Sequence, residues 1–205
     1  VIRIIAGDLR GRHLSVGPGV RPTTERAREA LFSILGERVR GARVLDAAAG
    51  SGALGFEALS RGAREVVFVE ADRRVARLLE SNAVMTRLET RVTILVRTVG
   101  AFLRVDRLSG FDLVFFDPPW ADPVAGELKG LWKALAPGGT FVVERGSDEE
   151  PWTSPPVEPD LRRYGTTTLF LYRHPAPCAT EVSEDPGSVP RIAFPYGIDR
   201  TPRGQ

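Results

Sequence analysis

Arg43-Val44-Leu45-Asp46-Ala47-Ala48-Ala49-Gly50-Ser51-Gly52-Ala53-Leu54-Gly55 is the stretch on which the fold turns. Val44-Leu45 reads as a buried strand, the glycines as a loop, and the residues from Gly52 to Ser60 as a helix. Strand, glycine loop and helix together open a βα unit. The pattern then repeats. Val66–Val69 is a second strand and Arg73–Met85 a second helix. Val92–Val96 is a third strand, followed by a short helix through Ala101-Phe102-Leu103. Leu113–Phe116 is a fourth strand, followed by a helix over about Gly126–Leu135 that Pro137-Gly138-Gly139 stops. Thr140–Glu144 is a fifth strand. Leu161–Tyr164 and Thr167–Tyr172 finish as antiparallel strands. Repeated βα units predict a Rossmann-like α/β fold, with a mostly parallel seven-stranded sheet and helices on both faces. Right-handed crossovers then place a ligand crevice at the carboxyl ends of the strands.

Gly50, Gly52 and Gly55 spell G-x-G-x-x-G, a weak signal that also fits a dinucleotide site. Asp46 changes the reading. It closes the strand four residues before the first glycine, where a carboxylate would repel a pyrophosphate. It suits a ligand carrying an ammonium and a sulfonium, as S-adenosylmethionine does, and the glycines let the backbone come close to that ligand. Glu70 ends the second strand, where an acid commonly takes ribose hydroxyls, and Asp72 caps the next helix. At the third strand's end stand Arg97-Thr98-Val99, with no acid for an adenine amine; Thr98 or a backbone group there takes that place. The expected cofactor contacts are Asp46, Ala48, Gly50, Ser51, Gly52, Glu70, Ala71, Thr98 and Val99.

The fourth strand runs into Asp117-Pro118-Pro119-Trp120. Two prolines fix φ twice, remove two backbone donors and keep the preceding residues out of the helical region. The resulting stiff turn offers a carboxylate, free carbonyls and an aromatic face, a combination that suits a flat ligand with an amino group. By itself it also reads as a capped strand end. Paired with a cationic-cofactor loop on the same crevice, it is far more specific.

Upstream, Arg3–Ala6 and His13–Val16 flank Gly7-Asp8-Leu9-Arg10-Gly11-Arg12, a short hairpin with a basic tip. Gly17-Pro18-Gly19 breaks the pattern, and Thr23 or Thr24 caps a helix whose Ala27, Ala30, Leu31, Ile34 and Leu35 face a core. Arg26 and Arg28 are expected on its other sides. Residues 1–40 hold eight Arg against four acids, although the whole chain is only +2. Nearly all the basic residues are Arg, which suits phosphate forks and base stacking. This points to a nucleic-acid partner, with a solvated arginine surface as the plain alternative. The organisation expected is a hairpin extension over 1–22, a catalytic domain over 23–174 and a flexible tail over 175–205, which holds six prolines.

Composition narrows the classes further. A single cysteine excludes an intrachain disulfide and a cysteine metal cluster, and two histidines make zinc a poor fit. Charges interrupt every apolar run, so no membrane span is expected. The N-terminus turns polar too soon for a signal peptide. The expectation is a cytoplasmic monomer without metal.

The two-site pattern resembles the class I methyltransferases that act on exocyclic amino groups of nucleobases, whose acceptor motif is Asp/Asn-Pro-Pro-aromatic. Trp120 departs from their usual Tyr or Phe while keeping a stacking face. Arg3-Ile4-Ile5-Ala6-Gly7, Gly11-Arg12, Arg21–Phe32, Gly50–Ala63 and Tyr164-Gly165-Thr166-Thr167 extend the likeness. Over about residues 2–173 the chain is similar to the bacterial small-subunit ribosomal RNA guanine-2-amino methyltransferases (the RsmD family). Ala47-Ala48-Ala49 departs where that family has a bulkier residue. The resemblance implies methylation of guanine 966 of 16S ribosomal RNA, on a partly assembled small subunit.

A guanine 2-amino group is a poor nucleophile because its lone pair is delocalised. Asp117 and the Pro118 carbonyl are expected to accept its two N–H bonds and aim the lone pair, with Trp120 stacked on the base. Arg3, Arg10, Arg12, Arg21, Thr23 and Arg26 are the expected RNA contacts. The rival readings are an adenine 6-amino methyltransferase on DNA or RNA, a nicotinamide-dependent oxidoreductase, and a non-catalytic RNA-binding module.

Overall fold

The computed structural model describes residues 1–17, 23–106, 108–118, 125–153 and 155–176. The Pro18 break, Arg21, Pro119, Trp120 and the tail from residue 177 lie outside the described residues.

Seven strands form one sheet in the order β5-β4-β3-β6-β7-β9-β8. They are β3 (Arg43–Ala47), β4 (Glu65–Glu70), β5 (Val92–Val96), β6 (Phe111–Phe116), β7 (Leu135–Gly146), β8 (Asp160–Tyr164) and β9 (Thr167–Arg173). The first five run parallel, and β9 pairs antiparallel with both β7 and β8. This is the Rossmann-like α/β architecture of class I methyltransferases, and every strand of the sequence reading is present. β7 differs in starting at Leu135 and running through Pro137-Gly138-Gly139 with a register shift against β6, where the reading had a helix to Leu135 and a strand from Thr140. The chain runs outward from β3 through β4 to β5, then returns to lay β6 on the other side of β3. The switch point of the sheet therefore lies between β3 and β6.

Side chains alternate along each strand, and the alternation builds two cores. Val44, Val66, Leu113, Phe115 and Val142 face one, against α1 (Glu25–Leu35), α2 (Ala53–Ser60) and α3 (Arg73–Thr86). Leu45, Val67, Val114, Phe116 and Val143 face the other, with Phe102 of α4 (Val99–Val105) and Leu131 and Trp132 of α5 (Ala125–Ala134). Caps set the helix starts. Thr24 Oγ1 accepts from the Ala27 N–H and Asp72 Oδ1 from the Arg74 N–H.

The N-terminal hairpin is shorter than expected. β1 (Ile2–Arg3) pairs with β2 (His13–Leu14), and Ile4 and Leu14 are buried in the first core. Bonding across the hairpin ends at Ile4, whose N–H donates to the Arg12 carbonyl and whose carbonyl accepts the Gly11 N–H. α2 then takes over the backbone donors, with Glu57 accepting from the Ile5 and Ala6 N–H groups at 2.8 and 3.1 Å. Ser60 then binds the Leu9 N–H through its hydroxyl and the Asp8 N–H through its carbonyl. Gly7, at φ +83°, passes so close that a Cβ there would lie 1.9 Å from the Ser60 carbonyl oxygen.

The inward stripe of α1 also differs from expectation. Ala27, Arg28, Leu31, Phe32 and Leu35 are buried, while Ala30 and Ile34 sit at the margin. Arg28 does not leave the helix outward. Its Nη2 donates to the Arg3 carbonyl at 2.6 Å and its Nε lies 3.9 Å from Glu57. A buried carboxylate on α2 gives this arginine a reason to turn inward.

Candidate active site

Parallel pairing of β3 and β6 sets Asp46 against Phe115 and Ala47 against Phe116. The glycine loop and the Asp117-Pro118 turn therefore leave neighbouring strands at the same edge. The sequence proposed these as two halves of one crevice, and the register brings them together.

Asp46 is buried beneath the loop, and its Oδ2 accepts the Gly55 N–H at 2.9 Å. Burial pushes its carboxyl up to about 8; the Gly55 N–H opposes this and the Glu70 charge adds to it. A cation placed here would reverse the shift. The three glycines have separate jobs. Gly52 sits at φ +72° as the cap of α2, and a Cβ on it would lie 2.6 Å from Leu79. A Cβ on Gly55 would lie 2.3 Å from the Phe68 ring. These two admit helix-to-helix and helix-to-strand packing, a role additional to the cofactor contact expected of Gly52. Ala48, at φ 61°, holds a left-handed conformation that non-glycine residues rarely adopt. Such backbone is concentrated at ligand clamps and switches. Ser51 is buried beside it.

Glu70 closes the loop from β4. One of its oxygens accepts the Gly50 N–H and the other the Asp72 N–H, both at 2.8 Å. A carboxylate has about four acceptor sites, so capacity for hydroxyl donors remains. Ala71 is exposed next to it. Thr98 caps α4, accepting from the Ala101 N–H at 3.2 Å, which leaves its own hydroxyl proton free to donate; Val99 is half-buried. The loop thus offers a buried acid, a second acid at the neighbouring strand end and a helix N-terminus. That donor set fits a cationic nucleoside such as S-adenosylmethionine.

Asp117 is half-buried and Pro118 buried. Burial first, then the Glu144 and Asp46 carboxylates, push the Asp117 carboxyl up to about 8. Glu144 went unassigned in the sequence reading. It stands within β7 one step past Val143, which registers with Phe116, and so comes level with Asp117, the residue that follows β6. Only 5% of it is exposed. The signal was present as an acid at a parallel strand's carboxyl end, like Asp46 and Glu70. Its partner is less legible: the Thr23 hydroxyl donates to Glu144 at 2.8 Å across 121 residues. Thr23, expected on the RNA surface, is thereby buried in the protein.

Among the described residues, the arginines expected to contact RNA fall into two groups. Arg3 pairs with Glu25 at 3.2 Å, and Arg26 is exposed on the first turn of α1. Thr23 and Glu144 fix that turn at the crevice end. Arg10 and Arg12 lie on the tip that docks on Ser60, where α2 ends, and Arg12 donates to the Met85 carbonyl near the end of α3. Both helices finish at the amino ends of the strands. The tip is thus about 12 Å from the crevice, the length of an eight-residue helix.

The family described as Conserved hypothetical protein 95 matches residues 2–173. The ribosomal RNA small subunit methyltransferase D of Haemophilus influenzae is 36% identical over 186 residues, covering 84% of this chain and 92% of that one. The solved structure of Escherichia coli yhhF, which carries a provisional methyltransferase name, superposes with a TM-score of 0.75 at 34% identity. It covers 85% of this chain and 98% of its own. A hypothetical protein of Thermus thermophilus gives 0.71 at 35% identity, covering 83% and 98%.

Proposed function

The chain belongs to the family described as Conserved hypothetical protein 95, and from that premise we propose that it methylates the exocyclic 2-amino group of a guanine in 16S ribosomal RNA. S-adenosylmethionine is the methyl donor in this reading. The observation that carries it is the β3–β6 register, which sets the Asp46 loop beside the Asp117-Pro118 turn at the switch point of the sheet. The Haemophilus relative, named for small-subunit ribosomal RNA, supports the substrate class. Guanine 966, presented on a partly assembled subunit, is the proposed target, and the protein acts as a cytoplasmic monomer.

When bound, S-adenosylmethionine supplies an electrophilic methyl on a sulfonium. Asp46 balances its positive charge from beneath the loop. Gly50, Ser51 and Gly52 present backbone to it, with Ala48 shaping the turn. Glu70 takes the ribose hydroxyls, with Ala71 alongside. Thr98 and Val99 border the adenine. On the acceptor side the target base leaves its helix to reach the crevice. Asp117 and the Pro118 carbonyl accept the two amine N–H bonds, which favours a more tetrahedral nitrogen and aims its lone pair. Trp120 stacks on the base, a contact of about 1–3 kcal/mol. Arg3, Arg10, Arg12, Arg21 and Arg26 hold phosphates.

Asp117→Ala tests the acceptor role. Transfer to RNA falls by about 10²-fold or more, the scale of losing a preorganised polar group in a reaction centre. Cofactor affinity, read by calorimetry, stays at the wild-type value. Wild-type turnover in this variant would remove Asp117 from the mechanism.

A further inference from the structure

The end of β7 carries a second buried carboxylate that the mechanism above does not use. Phe115 registers with Val142 and Phe116 with Val143, so Asp117 and Glu144 are the next residues on adjacent parallel strands. Phe115 and Val142 face the core beneath α1, and strand alternation sends Asp117 and Glu144 to that same face. Thr23 and Thr167 are two of the partners that hold Glu144, by hydroxyls at 2.8 and 3.5 Å. Thr23 immediately precedes the cap of α1, so this bond ties the entry of that helix to the acceptor strand. A position that served packing alone would be filled by an apolar side chain, because burying a carboxylate is unfavourable. Buried acids placed side by side are characteristic of reaction centres.

We propose that Glu144 is a positioning residue for methyl acceptance: it holds a negative charge beside Asp117, strengthening Asp117 as an acceptor of the amine N–H bonds. This rests on the reading of Asp117 as the amine acceptor. Among the described residues, the titratable groups facing Asp117 are Glu144 from β7 and Asp46 from β3, with Glu70 in turn facing Asp46. Removing the Glu144 charge makes Asp117 ionise at lower pH and accept more weakly.

The experiment is a pH profile of single-turnover methyl transfer to unmodified 16S RNA, at saturating S-adenosylmethionine. It compares wild type, Glu144→Gln, Glu144→Asp and Asp117→Ala. In Glu144→Gln the acidic limb moves down by about one pH unit or more, and the plateau rate falls severalfold. The two curves therefore approach or cross below the wild-type midpoint. Affinity for S-adenosylmethionine is unchanged. Glu144→Asp, which keeps the charge but withdraws it by one methylene, falls between. A uniform drop at every pH with an unmoved midpoint overturns the proposal, as does an unaltered profile. If Glu144→Gln does not fold, an unmoved midpoint in Glu144→Asp overturns it equally. Wild-type turnover by Asp117→Ala, which removes the acceptor oxygens altogether, defeats the underlying reading instead, whatever the Glu144 variants do.

Discussion

Asp46 and Asp117 hold protons that ordinary aspartates have lost at neutral pH. Both carboxyls stand at about 8 in the folded chain against 3.8 in the reference state, chiefly because they are buried. The folded state then binds more protons than the unfolded one between about pH 4 and 8. Stability from these two groups is fully present below that window and is lost as pH rises through it. Asp46→Asn should therefore melt with the wild type at pH 4 and above it at pH 8, by about 2–4 °C for each kcal/mol recovered. The same variant should bind S-adenosylmethionine at least tenfold more weakly. Differential scanning calorimetry and titration calorimetry check the two halves; weaker stability at pH 8 would contradict the assignment. These two acids were legible because each ends an apolar run and begins a glycine or proline turn. Glu144 ends such a run too, but its significance depends on Thr23, 121 residues away.

The hairpin and α2 behave as one element joined through Glu57. That carboxylate, itself fully buried, takes two backbone N–H groups of the hairpin, a 2.7 Å ion pair from the partly exposed Arg61 and the approach of the buried Arg28. Removing one partner from a buried ion pair leaves the other charge uncompensated, at about 3–5 kcal/mol. Glu57→Ala should lose about that much in chemical denaturation and should loosen residues 1–15 in hydrogen exchange. A loss under about 1 kcal/mol, the scale of an exposed pair, would show that the hairpin is held by Ile4 and Leu14 packing instead. Helical spacing predicted α1 itself but misjudged its inner face, because a charged residue is ordinarily assigned to solvent. Arg28 turns inward only because α2, read separately, brings Glu57 to it. Periodicity registers hydrophobicity along one element; it carries no information on which charges two elements will pair.

At the scale of the whole molecule, the sheet topology follows from the βα rhythm, and the crevice follows from the topology. The position of the basic tip does not. A hairpin rich in arginine suggested contacts to RNA phosphates with no position relative to the crevice, and docking on Ser60 carries Arg10 and Arg12 to the opposite end of α2. The proposed RNA footprint therefore extends over the α1–α2 face rather than around the crevice alone. Arg10→Ala with Arg12→Ala should raise KM for a long RNA about tenfold and flatten its salt dependence by about two phosphate contacts. kcat and cofactor affinity should hold, and a short RNA bearing only the target loop should be unaffected. Equal loss on both RNAs would place the tip at the crevice after all. The central claim, that the Asp46 loop and the Asp117 turn form one guanine-methylating crevice, is tested most directly by radiolabelled methyl transfer to unmodified 16S RNA and to small-subunit particles. Mapping of the labelled nucleotide then completes the measurement. The account predicts label on the 2-amino group of a single guanine, dependent on Asp117. Label on an adenine 6-amino group, or transfer that survives Asp117→Ala, would contradict it.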